Sequence, residues 1–128
     1  MSRQRIGFVL AVFTAVGFVA TAGLHFTGYD SVSALARQAP GDLGVLVPAL
    51  WLAFSLDLTV IGLIVAVATG RAEANSRAIL AVAALCPLGA AALQLRFIGF
   101  IPPTAVLLVL GGLALTAAAV GPARERQE

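Results

Sequence analysis

Asp57 sits in the middle of an apolar run from Val45 to Thr69, with about twelve mostly apolar residues on each side. An ionised Asp at the centre of a membrane helix costs roughly 2.5–3.5 kcal/mol on insertion scales. Such a group must be paired, hydrated or protonated, and by default it marks a functional position. Its neighbours at helical spacing are Leu50, Ala53, Phe54, Val60, Ile61 and Ile64. None of them can pair with it. A partner therefore has to come from another element.

Three polar residues are candidates by depth: His25, Gln94 and Arg96. At about 1.5 Å per residue, Gln94 and Arg96 lie toward the outer end of their run, and His25 lies at a similar height. Arg96 has a long side chain that can reach inward while its head stays hydrated. Thr14, Thr21 and His25 are spaced to share one helix face with Phe18. The expected site is a polar pocket in the outer half of the protein, built from Thr21, His25, Asp57, Gln94 and Arg96 under Trp51 and Tyr29. Each member also has a plain structural role. The two aromatic rings suit a membrane interface, threonines can bond their own helix backbone, and Arg96 can simply mark a helix end.

The elements that position these residues follow from composition. The chain has 128 residues, 60% of them apolar and 11% charged, with a mean hydropathy of +1.01. A soluble domain carries about 25% charged residues, so a water-soluble fold is excluded. A disordered chain is excluded too, because it needs low hydrophobicity. Four runs are long enough to cross about 30 Å of hydrocarbon as helices: about 6–26, 45–69, 78–97 and 101–120. None has the period-2 alternation of a barrel strand. The expected fold is an all-α, single-domain membrane protein over residues 1–128, an up-down-up-down four-helix bundle. A short interfacial helix is expected at about 31–38, in the first outer loop.

Local signals agree with these runs. Pro102-Pro103 suits the first turn of the last helix, where a missing N–H costs nothing. Asn75 or Ser76 suits the start of the third run. Pro87 lies mid-run and is expected to kink its helix. Small residues concentrate in the last two runs, where Ala114 and Ala118 form a small-xxx-small pair, so these runs are expected to pack closely.

Charge gives a direction. All eight basic residues are Arg. Arg3, Arg5, Arg71, Arg77, Arg124 and Arg126 fall on one side of the four spans, and Arg37 and Arg96 on the other. By the positive-inside rule both termini are cytoplasmic, in a bacterial-type inner membrane. Arg3, Arg5, the first apolar run and Ala20-Thr21-Ala22 also resemble a secretory signal peptide. The run stays apolar to Phe26, however, and is long enough to span, so a retained helix is expected.

The inventory excludes most chemistry. Cys86 is the only cysteine, so no internal disulfide can form. One His cannot supply paired axial haem ligands, and one His with one intramembrane acid is too few for a metal site. No cofactor is expected. Without Lys there is little surface for nucleic acid. Ser55, His25 and Asp57 make a triad on paper, but residues two apart on a helix point to nearly opposite sides.

The stretch Leu50-Trp-Leu-Ala-Phe-Ser-Leu-Asp57, Gly62-Leu-Ile, Thr69-Gly70-Arg71 and Arg77-Ala-Ile-Leu-Ala resembles the DoxX-like small bacterial membrane proteins. Asp57 stands where that family usually has Glu. The resemblance implies four helices, and some members are linked to quinone or sulfur redox chemistry. Three functions fit the whole pattern. The first is a non-enzymatic accessory or subunit protein that binds another membrane protein, a copy of itself or a lipid-like molecule. The second is a pocket for a quinone-like or lipid-like molecule. The third is a small proton-coupled transporter using Asp57.

Overall fold

The computed structural model describes residues 2–70 and 75–121. It is all-helical among these residues. In chain order α1 is Arg3–Thr27, α2 Tyr29–Ala36, α3 Leu43–Gly70, α4 Asn75–Phe97 and α5 Pro102–Val120. Four of them, α1, α3, α4 and α5, are long and apolar enough to cross a membrane. Four such helices in one chain point to a multi-pass membrane protein whose outer side chains meet lipid. Phe13, Val16, Leu24, Leu56, Leu85 and Val109 are among the large apolar residues left on the outer surface.

The helices run a little beyond the apolar runs because local groups extend them. At the start of α1, Ser2 Oγ accepts from Arg5 N–H at 3.4 Å, satisfying one orphan donor of the first turn. At the start of α3, the Asp42 carbonyl accepts from both Val45 and Leu46 N–H at 3.0 Å. The short helix begins two residues earlier than expected, since the Gly28 carbonyl accepts from Val32 N–H at 3.1 Å. It rests Ser33 and Ala36 against the protein.

Each long helix buries a narrow stripe rather than a broad face. In α1 the stripe is Gly7, Ala11, Thr14, Ala15, Phe18 and Ala22. In α3 it is Pro48, Ser55, Leu58, Gly62, Val65, Ala68 and Thr69. Small residues dominate because helices in lipid gain little by hiding large apolar groups and associate through close packing. Phe18 fills the centre and is fully buried with Leu58, Leu80 and Val65. The Thr14 hydroxyl donates to the Leu10 carbonyl at 2.7 Å and so needs no partner on another helix.

The packing is uneven. The helix pairs α1–α3 and α4–α5 make the most extensive contacts, α1 and α5 join the two pairs, and α3 and α4 make the sparsest contact of the neighbouring long helices. The α4–α5 closeness matches the expectation from small residues. At Gly111 a Cβ would come within 2.5 Å of Leu88 Cγ, and Ala114 is fully buried. Pro87 is buried within α4, which runs unbroken across it. The side where α3 faces α4 stays open, and this opening carries the features of functional interest.

At the other end of α4, polar groups serve the helix termini. The Ser76 hydroxyl donates to the Ala68 carbonyl at 2.9 Å, tying α4 to the last turn of α3. The Arg77 guanidinium donates to the Val120 carbonyl at 3.3 Å, satisfying an orphan acceptor at the end of α5. Arg71, Arg124 and Arg126, which complete the charge bias read from the sequence, lie outside the described residues.

Candidate functional site

The C-terminal end of α1 and the early part of α3 are locked together around one imidazole. His25 Nδ1 lies 2.9 Å from Ser55 Oγ. The His25 ring stacks on Trp51, with centroids 3.7 Å apart and 17° between planes. Phe54 meets the same ring edge-on at 5.0 Å. The indole of Trp51 donates through Nε1 to the His25 carbonyl at 2.7 Å, which also accepts from Gly28 N–H at 3.1 Å at the end of α1. Gly28 makes room for the indole, since a Cβ there would stand 2.9 Å from Trp51 Cζ2.

A second polar pair closes the far wall. Thr104 Oγ1 lies 2.7 Å from Gln94 Oε1 and accepts from Ile101 N–H at 3.4 Å. Thr104 is the third residue of α5, after Pro102 and Pro103. It therefore reaches back to cap the helix, as in the reciprocal cap of a first turn, and also ties α5 to α4. Thr104 is fully buried. We expect Thr104→Val to lower resistance to denaturing detergent by about 1–2 kcal/mol, read from the loss of helicity in mixed micelles.

Between these walls is a cavity of about 360 Å³ lined by His25, Val47, Leu50, Trp51, Phe54, Ala90, Leu93 and Gln94. The size falls within the range of small-molecule sites. Three residues expected in one pocket, His25, Trp51 and Gln94, do come together there. Thr21 lies one turn from His25 and is half-buried. Tyr29 stacks on Phe26 at 6.5 Å, away from the cavity wall. Arg96 is exposed, with its guanidinium 5.4 Å from the centroid of the Phe97 ring, so it does not reach in toward Asp57.

Asp57 takes a different place from the one expected. It is exposed on the side of the protein, not enclosed between helices of a single chain. The reason lies in helix geometry. Ser55 is buried against His25, and a residue two positions on points to nearly the opposite side. Depth is as expected, with fourteen residues of α3 before Asp57 and thirteen after it.

Asp57 also continues the stripe of α3 that lines the opening toward α4. Leu50 and Phe54 line the outer cavity. Ile61 and Ile64 line a second cavity of about 520 Å³ with Ile79, Val82 and Cys86, and Ala68 lines a third with Ser76. Positions 50, 54, 57, 61, 64 and 68 step by four and three, the spacing of one helix face. The face is apolar along its length except for Asp57.

Among the described residues no group of three or more His, Cys, Asp or Glu is placed to hold a metal ion. Two residues of the site, Ser55 and Thr104, were not among those singled out for binding. Thr104 carries a local signal, as it stands three residues after Ile101 behind a proline pair. No family model, curated protein or solved structure matches this chain.

Proposed function

We propose that the chain is a non-enzymatic accessory subunit of the membrane, and that its α3–α4 face receives a helix of another membrane protein. The observation that carries this reading is Asp57, exposed at mid-helix on an otherwise apolar stripe. A carboxyl group facing hydrocarbon without a partner is costly. A second copy of this chain is the poorer occupant, because no basic side chain stands at that depth in α3 or α4. The partner we propose presents an Arg or Lys near the bilayer midplane, where a charge-assisted bond is strongest.

In this reading the four long helices form an up-down-up-down bundle in a bacterial-type cytoplasmic membrane, with both termini cytoplasmic. The Arg distribution supports that orientation. The Arg77–Val120 bond supports the antiparallel arrangement of α4 and α5, since it brings the start of one and the end of the other to one level. Membership of the DoxX-like proteins belongs to the same proposal, on the residue pattern of the second and third spans, and extends to architecture rather than to a reaction.

Designed single-span peptides test the docking. One is a leucine helix and the other carries a central Arg. Energy transfer between labelled peptide and labelled chain in bilayers is expected to report association with the Arg peptide and none with the leucine peptide. Equal transfer with both, or transfer only between copies of this chain, would overturn the proposal.

A second reading is favoured by the outer cavity. His25 and Gln94 are polar groups on an otherwise apolar wall of suitable volume, which supports binding of a lipid-like molecule whose head reaches both.

A further inference from the structure

The hydrogen bonds around the outer cavity decide which head group suits it. The Ser55 hydroxyl donates to the Trp51 carbonyl at 3.2 Å. With that one proton given to Trp51, both contacts form together only if Ser55 Oγ accepts from His25 Nδ1 at 2.9 Å. Nδ1 therefore carries the imidazole proton in the neutral ring. The other nitrogen, Nε2, is then a bare acceptor. No hydrogen bond to it forms among the described residues. Stacking on Trp51 and the edge contact with Phe54 hold the ring in place.

Gln94 is likewise half-satisfied within the protein. The Thr104 hydroxyl already accepts from Ile101 N–H, so its proton goes to the Gln94 carbonyl oxygen at 2.7 Å. The amide NH2 of Gln94 remains as a donor pair without a partner among the described residues. One cavity thus presents an acceptor on the α1 side and a donor on the α4 side, between apolar walls.

We infer that this cavity takes a single-chain amphiphile whose head carries an O–H group, such as a long-chain alcohol or a protonated carboxylic acid. The hydroxyl proton goes to His25 Nε2, and a head oxygen accepts from the Gln94 amide. The apolar tail leaves along the open α3–α4 side past Leu50 and Phe54. A carbonyl-only head, as in an oxidised quinone, satisfies Gln94 and leaves His25 Nε2 without a donor, so it fits less well. The inference rests on the second reading above and narrows it from lipid-like molecules in general to hydroxyl donors.

The lone tryptophan lines the cavity, which makes its fluorescence a direct report of occupancy. The probes are three brominated amphiphiles of equal chain length, an alcohol, a carboxylic acid at mildly acidic pH and the methyl ether of the alcohol, added to the purified chain in micelles. The alcohol and the acid are expected to quench Trp51 saturably. The ether keeps an acceptor and lacks the donor, and is expected to bind at least about tenfold more weakly. His25→Phe preserves the ring stack and should remove the preference for the alcohol. Ser55→Ala frees the imidazole to change tautomer and should narrow the gap between alcohol and ether. Helicity of each variant is checked by circular dichroism. Equal binding of alcohol and ether by the unaltered chain would overturn the donor–acceptor assignment while leaving the cavity a binding site. No saturable quenching by any of the three would remove the binding site itself.

Discussion

Replacing Asp57 by Leu is expected to move two measurements in opposite directions. Association with the Arg-centred helix should fall by about ten- to a hundredfold, the loss expected for a hydrogen bond between charged groups. Resistance to denaturing detergent should stay the same or rise, because an apolar residue replaces one that costs roughly 2.5–3.5 kcal/mol at a helix centre. Asp57→Asn should fall between the two in association, since the amide keeps an acceptor and loses the charge. This opposition separates a docking residue from a residue of the fold. Were Asp57 holding two helices of this chain together, its loss would lower stability and association together. The exposed position of Asp57 and the burial of its neighbours Ser55 and Leu58 predict the former.

Gly62→Leu should have the largest effect on the fold. At this position α1 and α3 approach closely, and a Cβ would lie 2.9 Å from Val19 Cγ2, 3.1 Å from the Ala15 carbonyl oxygen and 3.1 Å from Phe18 Cβ. Two of these atoms belong to side chains, but the third is backbone, and it cannot move unless α1 moves. Phe18 is itself fully buried at the centre of the core, so it has no free space to turn into. Overpacking of a tight contact typically costs 1–3 kcal/mol, and more where the neighbour is fixed. We expect a loss of about 2–4 kcal/mol, seen as unfolding at a lower mole fraction of denaturing detergent. Gly112→Ala provides the contrast. A Cβ there meets nothing within 4 Å, and replacing a mid-helix glycine by Ala gains about 0.5–1 kcal/mol.

The four long helices were legible in the sequence because span length is fixed by bilayer thickness, and the runs at about 6–26, 45–69, 78–97 and 101–120 meet that length. The facing of each helix was much less legible. In α3 every side is apolar, so hydrophobicity alone does not separate the inner face from the outer one. Asp57 was placed inside on the argument that a charge avoids lipid, which holds for a complete assembly but not for one chain in isolation. The small residue Gly62 and the hydroxyl of Ser55 were better guides. Both lie on the buried stripe, and Asp57 lies off it. His25, Trp51 and Gln94 could be brought together from their common depth. The roles of Ser55 and Thr104 could not, because each depends on a contact with another helix, with His25 on α1 and with Gln94 on α4.

Whether a partner helix covers the stripe that carries Asp57 can be measured in the bilayer itself. A spin label at Ile64→Cys, in a Cys86→Ala background, lies two helical turns along that stripe, and a label at Leu24→Cys on α1 serves as reference. Oxygen accessibility of both labels is measured in bilayers with and without the Arg-centred peptide. Accessibility is expected to fall at position 64, to stay unchanged at position 24, and no longer to fall when Asp57 is replaced by Leu. A label at position 64 that is equally accessible with and without the peptide would contradict docking on this stripe, as would one already covered by a second copy of the chain.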